Sequence, residues 1–460
     1  MASREGNSKG SLSGTQLMAF GLPAMSHALV AGAVYTVLPT HYAANTAITL
    51  AQIGTVAGVS RVIDALNDPV MGFLSDRTRS RFGSRKPWIA AAIIFCVIAV
   101  FQLFSPPSDA TWVYFLIWSQ VLYTGFTMFE VPRSAWGAEL SRDYNERARI
   151  GMFVGGFNIL GALAFYLVPI TLGLLGGSSK VDGAALHLIS WVYAISMPLA
   201  VLLCLWLVPQ GRKLDHKPTT LRGVGKTILR SLPARRLFTI VTLWGLGQGV
   251  FVGCAFIFYS YYMKLDEWFA MIMGLLFLIQ VMALPLWSRI LPRYDRHRVW
   301  AFCIGAAALL APIALLLPKG EQALPYLFPL VIVQAFLMAP ANFLPGAVLG
   351  DVIDYDTMKS GTNKAGNLFA VQMVLIKIAM ALGGAVAFNL LQLVGYRVNQ
   401  PNTDLANWGL AAIFLGIPLL FHLAMAALAW NFPLDRRRHG IITRRLQSRQ
   451  IVREELLVPN

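Results

Sequence analysis

Twelve apolar runs, each long enough to cross a bilayer as a helix, leave this chain few folds to choose from. A helix needs about 20 residues to span a hydrocarbon core of roughly 30 Å. Such runs lie near 16–41, 48–75, 87–106, 111–140, 150–176, 187–209, 236–263, 267–291, 298–318, 324–350, 365–395 and 408–431. Lipid offers the backbone no hydrogen-bond partner, so each run is expected to satisfy its own amides as a helix. Only 13% of the 460 residues are charged, about half the roughly 25% of a soluble protein. The four cysteines, Cys96, Cys204, Cys254 and Cys303, all lie within apolar runs. That placement excludes a disulfide-stapled secreted fold. The first fourteen residues are polar, so no cleaved leader is expected.

Lysine and arginine set the orientation. Of the 38 basic residues, 31 fall in the two tails and in alternate connections, at 77–86, 142–149, 212–236, 289–298 and 359–364. The intervening connections hold Lys180, Lys264, Lys319 and Arg397, and the spans hold Arg61, Arg133 and Lys377. Basic loops stay cytoplasmic, so both termini are expected on that side of a cell membrane, the inner membrane if the source is bacterial. The net charge of +16 is therefore a topology signal, and no nucleic-acid partner is expected. The longest polar stretch, Pro209 to Arg236, separates six spans from six. We expect an all-α membrane protein of twelve transmembrane helices in two six-helix bundles. Its parts would be a cytoplasmic tail (1–15), a first bundle (16–209), a central loop (210–235), a second bundle (236–431) and a basic tail (432–460).

The charges inside the spans carry the chemistry. Asp64, Asp68 and Glu130 are set against Arg61, Arg133 and Lys377. Each would cost about 2.5 kcal/mol or more facing lipid, so they belong in a bundle interior or a cavity. Asp64 and Asp68 are four residues apart and share a helix face, with Arg61 one turn before and Asn67 beside them. Two carboxylates this close do not both stay ionised in a low dielectric unless a cation lies between them; otherwise one holds a proton. Pro69 and Pro132 each free a carbonyl one turn earlier, at Ala65 and Met128. Counting from the cytoplasmic loops at 1.5 Å per residue puts Asp64 and Lys377 roughly 18 Å deep and Glu130 roughly 15 Å deep. One level near the midplane is where transporters place their sites. A static salt-bridge network joining two helices is the competing account.

The run Asp64-Ala65-Leu66-Asn67-Asp68-Pro69-Val70-Met71-Gly72, continued by Arg79-Ser80-Arg81-Phe82-Gly83 and Lys86-Pro87-Trp88, resembles the signature of the glycoside–pentoside–hexuronide:cation symporters. These form the melibiose-permease branch of the major facilitator superfamily. The resemblance extends to Glu130-Val131-Pro132, to Asp351-Val352-Ile353-Asp354-Tyr355, and to Val371-Gln372 with Lys377. It implies a coupling cation (Na⁺, H⁺ or Li⁺) at Asp64, Asn67, Asp68 and Thr127, with no other metal and no cofactor. It also implies a lysine, Lys377, between cation and sugar, and a sugar-side Gln372. The sugar side departs from the family pattern: no acid stands near His27-Ala28, Glu130 replaces an aspartate, Ser134 replaces an aromatic, and Gly155 stands where an arginine is expected.

The candidate substrate-binding set is thus Glu130, Gln372, Lys377, Phe126 and His27, with charge balance from Arg61, Arg133 and Lys377. Asp76, Arg77, Glu139, Arg142, Arg147, Asp351 and Asp354 are expected to form ion pairs that latch the two bundles on the cytoplasmic side when the outer side is open. Trp118, Trp136 and Trp244 are read as packing or interface residues first and sugar platforms second. No phosphate-binding loop and no metal-ligand spacing occurs, so neither ATP drive nor catalysis is expected. The expected activity is symport of a small solute with a monovalent cation by a monomer in the bilayer. The solute is a sugar, glycoside or uronic acid, or else an amphipathic, lysolipid-like molecule. An uncoupled facilitator and a membrane receptor are the other classes.

Overall fold

The computed structural model describes residues 12–141, 144–211, 228, 231–361 and 365–455. Arg142 and the side chains of Arg61 and Arg147 lie outside the described residues. Helix α1 (Gly14–Thr36) continues as a short helix Leu38–Asn45, and α2 (Leu50–Arg77), α3 (Lys86–Phe104), α4 (Trp112–Leu140), α5 (Tyr144–Leu174) and α6 (Gly183–Leu207) follow. After the central loop come α7 (Leu232–Phe256), α8 (Phe269–Ile290), α9 (Arg296–Leu310), α10 (Leu324–Met338), α11 (Ala365–Leu393) and α12 (Asp404–Ala411). Helix α10 is prolonged by the helix Leu344–Ser360, and α12 by a π-helical turn, Ala412–Gly416, and the helix Ile417–Trp430.

Ten of the twelve spans are apolar enough to cross a membrane on length and composition alone. The two that are not, α2 and α4, carry Arg61, Asp64 and Asp68, and Glu130 and Arg133. Their polar content is tolerable where it meets protein: Asp64 and Arg133 are buried, α2 lying against α4 and α11 and α4 against α3, while Val62 and Leu66 of α2 face outward. Elsewhere Ile98, Leu202 and Leu420 point outward and exposed, as lipid-facing surfaces require.

Polar caps fix where the helices begin. Ser13 with Gln16 and Thr49 with Gln52 form capping boxes that start α1 and α2. The Thr111 side chain accepts from the Tyr114 amide at the head of α4.

Within the first bundle α1 packs on α5 and α6, and α3 on α4 and α6. In the second, α7 packs on α11 and on the helix Ile417–Trp430, and α8 on α10. Two principal seams join the bundles, α2 with α11 and α5 with α8. The first depends on a missing side chain. A Cβ on Gly54 would sit 2.6 Å from Asn389 Nδ2 and 2.9 Å from the Ala385 carbonyl, so only glycine lets α2 and α11 approach there. At the second, Tyr166 of α5 stacks on Phe277 of α8, ring centroids 5.7 Å apart, and meets Phe269 edge-on at 6.3 Å. Between the α5–α6 and α7–α8 connections, Lys180 bonds Asp266 at 2.7 Å. That hydrogen bond holds the lysine above its ordinary range. All these contacts lie on the side opposite the basic loops, so the bundles are closed there.

Two features differ from the sequence reading. The tenth span does not stop near 350: helix Leu344–Ser360 carries Asp351, Asp354 and Asp356 on toward the side of the basic loops. The basic tail is not featureless either. Helix α13 (Arg436–Glu455) starts at Asp435, whose carboxylate accepts from the Arg438 amide, and packs on helix Leu344–Ser360.

If Gly54 sets the closed seam, Gly54→Val should pry α2 from α11 on the side away from the basic loops. Cells carrying Val34→Cys in the central cavity should then show faster labelling by a membrane-impermeant maleimide added outside. An unchanged labelling rate would mean the seam is held elsewhere.

Candidate functional site

Three mid-helix positions meet at the α2–α4–α11 junction. Asp64 and Asp68 lie near the middle of α2, Thr127 near the middle of α4, and Lys377 near the middle of α11. Counted at 1.5 Å per residue, Asp64, Thr127 and Lys377 are each roughly 18–24 Å from either end of their helices, and Asp68 lies one turn nearer the basic-loop end of α2. Lys377 Nζ lies 3.0 Å from Asp64 Oδ2 and 3.2 Å from Asp68 Oδ2. Thr127 Oγ1 lies 3.0 Å from Asp64 Oδ1 and 2.9 Å from Asp68 Oδ1. The i, i+4 spacing on α2 thus presents two carboxylates as one face, with an ammonium on one side and a hydroxyl on the other.

The hydroxyl imposes an accounting. Thr127 has one proton and two acceptors, so it donates to one carboxylate at a time. The second short contact becomes a hydrogen bond only when that other carboxyl carries a proton and donates to Thr127 Oγ1. Asp64, Asp68 and Lys377 fully ionised sum to one negative charge. A single monovalent cation, proton or metal, brings these three groups to neutrality.

The other expected site residues fall around this cluster. Asn67 turns its amide to Thr124, Nδ2 to Oγ1 3.3 Å, rather than to the carboxylates. Glu130 pairs with His27 at 3.0 Å, so the histidine on α1 and the acid on α4 form one unit. The His27 ring meets Phe126 edge-on at 4.3 Å and stacks on Phe129 at 5.5 Å. Gln372 is buried on α11, its Oε1 without a hydrogen-bond partner among the described residues. Beside Lys377 opens a cavity of about 190 Å³ between the bundles, lined also by Tyr35, Tyr123 and Phe388. Tyr35 and Tyr123 stand nearly parallel there, 6.4 Å apart.

Comparison with known proteins places this geometry. Residues 19–436 match the family described as MFS/sugar transport protein. The chain belongs to that family. Its members are membrane transporters, not enzymes, and the chain is a multi-pass membrane protein. Among curated relatives it is 22% identical to the inner membrane symporter YicJ of Escherichia coli (strain K12), over 86% of this chain and 85% of that one. It is 24% identical to the isoprimeverose transporter of Lactiplantibacillus pentosus (86% and 84%). It is 22% identical to the glucuronide carrier protein homolog of Escherichia coli (strain K12) (94% and 95%). The crystal structure of the nucleoside transporter NupG (D323A mutant) superposes with a TM-score of 0.65 at 16% identity, over 90% of this chain and 99% of that one. This confirms the fold.

The Arg133 guanidinium lies 4.9 Å over the Phe129 ring, and its Nε has no hydrogen-bond partner among the described residues. The direct partner of the Glu130 carboxylate is His27. The latch is expected when the side opposite the basic loops is open; in this conformation, closed there, the described charges near the basic loops pair within their own bundles. Arg85 holds Asp76 and Glu139 inside the first bundle. Arg296 and His439 hold Asp351, and His439 also holds Asp354, inside the second. Arg77 sits 3.9 Å over the Phe73 ring. Each set staples its own bundle. The sequence reading missed Tyr35, Tyr123, Thr124 and the Lys180–Asp266 pair, because only the packing of distant helices brings them to the site or the seam.

Thr127→Val keeps the shape but removes the hydroxyl from both carboxylates. A hydrogen bond to a charged group is worth about 1.5–3 kcal/mol, so the cation concentration for half-maximal solute uptake should rise at least about tenfold. Thr127→Ser should restore it. Equal cation dependence in Val and wild-type proteins would remove Thr127 from the site.

Proposed function

We propose that this chain is a cation-coupled symporter that moves a sugar, glycoside or uronic acid across the membrane by alternating access. The observation that carries this is Lys377 of one bundle lodged between Asp64 and Asp68 of the other. An ammonium there occupies the position a coupling cation would take. Na⁺, Li⁺ and a proton all suit an oxygen-only setting of two carboxylates and a hydroxyl. When the cation enters, it competes with Lys377 for the same oxygens, and the freed ammonium faces the cavity it already lines. There it can meet the solute, alongside Gln372 and the His27–Glu130 pair. The solute thereby senses cation loading, which is the requirement for coupling.

The same arrangement makes alternation selective. A bare pair of carboxylates resists being carried through a low-dielectric seam. Half-offset by Lys377, with the remaining charge met by a proton or cation, the pair is compatible with closure. Both termini lie in the cytoplasm on this reading, and the working unit is a monomer in the cytoplasmic membrane.

Asp64→Asn and Asp68→Asn should each abolish cation-driven accumulation of solute in proteoliposomes. Solute exchange without a gradient should persist, showing that the variants fold and insert. Undiminished uphill uptake in both variants would sink the proposal.

A further inference from the structure

A cavity that the cation site does not use lies mainly in the second bundle, with Thr36 and Tyr166 of the first at its edge. It measures about 210 Å³, far above the roughly 10–15 Å³ a single water needs. Trp244 and Gln248 of α7 and Tyr259 just beyond it line one wall; Gln280 of α8, Gln334 of α10, Asn342 and His422 add further polar groups. Among the described residues no Asp, Glu, Lys or Arg lines it. Trp244 Nε1 and His422 Nε2 are buried without a hydrogen-bond partner among the described residues. Gln248 and Gln334 likewise make no side-chain hydrogen bond to another described residue. Amides that both donate and accept, set among aromatic rings, match the hydroxyls and C–H faces of a saccharide ring. Buried polar groups are ordinarily satisfied, so this set calls for a hydrogen-bonding occupant.

Two local devices build the wall. A Cβ on Gly247 would stand 2.6 Å from His422 Nε2, so glycine lets the imidazole close on α7. The π-helical turns Ile257–Tyr262 and Ala412–Gly416 bring Tyr259 and Phe414 to the cavity, and such turns are frequent at functional sites. Val252 lines both this cavity and the one beside Lys377. The two spaces therefore adjoin.

We propose that this cavity is a second solute subsite, taking an uncharged hydroxyl-bearing ring. The transported solute would then be a neutral glycoside of two rings, one beside Lys377 and one here. This rests on the symport reading above. A carboxylate in the second subsite would be desolvated with no counter-charge among the lining residues, which disfavours uronides there.

The test uses purified full-length protein and thermal stabilisation by melibiose, isoprimeverose, lactose and cellobiose, by their constituent monosaccharides, and by a disaccharide ending in glucuronic acid. At least one neutral disaccharide should bind tenfold or more tightly than its monosaccharides and than the acidic disaccharide. Gln248→Leu and Gln334→Leu should each remove about tenfold of that advantage while leaving monosaccharide affinity within twofold. Gln334→Asn serves where a leucine variant fails to fold. Neutral disaccharides binding no better than monosaccharides, a preference for the acidic sugar, or variants that keep the full advantage would overturn the subsite. Cation-driven uptake of a monosaccharide or uronide alongside those results would leave the symport reading standing. No cation-driven flux of any sugar would remove both.

Discussion

The ion pair of Lys377 with Asp64 and Asp68 is the constraint from which most of this structure follows. Charges at mid-depth are stable only when paired and shielded, and breaking a buried pair typically costs about 3–5 kcal/mol. Here the partners come from different bundles, so satisfying them brings α2 and α11 together. The same pairing explains why α2, too polar to cross a membrane by composition alone, can lie in one: its charged face is turned to a protein seam and its other face to lipid or cavity. Thr127 then fixes the carboxylates from the α4 side, so that three helices share one electrostatic problem.

The two seams divide the labour. At α2–α11 the bundles meet through charge at mid-depth and through the bare backbone of Gly54 nearer the outer end. At α5–α8 they meet through aromatic rings, which exclude water without committing any charge. On the side of the basic loops, the Arg85 and His439 clusters each stay inside one bundle. Internal staples of that kind make a bundle move as a body, and rigid-body rocking of two halves is what alternating access needs. With the seams closed on the opposite side, the barrier to rocking is concentrated in a few identifiable contacts.

Much of this was legible in the sequence because the bilayer simplifies the reading. The apolar runs marked where the helices lie, ten of them apolar enough to span on composition alone, and the count of residues from the basic loops placed Asp64 and Lys377 at one depth, because helix rise is constant. Partner choice was less legible. Periodicity says that Asp64 and Asp68 share a face, but not that Glu130 would take His27 from α1 and leave Arg133 to an aromatic ring. That outcome depends on helix rotation about its axis, which neighbours set. The helix Arg436–Glu455 was announced by Asp435 before an arginine run, a capping signal overlooked because the tail read only as charge. The prolongation Leu344–Ser360 escaped notice for the opposite reason: its aspartates suggested a loop, while the partners that support them, Arg296 and His439, lie far away in sequence.

On the proposed symport reading, the lysine also answers why a carrier would keep a basic residue beside two aspartates. A carrier must return empty, and an empty site of two aspartates would hold its charge in the least favourable part of the cycle. An ammonium on the opposite bundle offsets one of the two charges only when the bundles are close, so it would favour the closed, empty form without occupying the open one. Cation binding removes that lysine from its partners. The positive charge it exposes toward the cavity is a cost until a solute or Glu130 shares it. On these energetics cation enters before solute, and a cation-loaded carrier without solute is held back from closing. On that reading coupling needs no signal beyond an ammonium and a cation competing for two carboxylates.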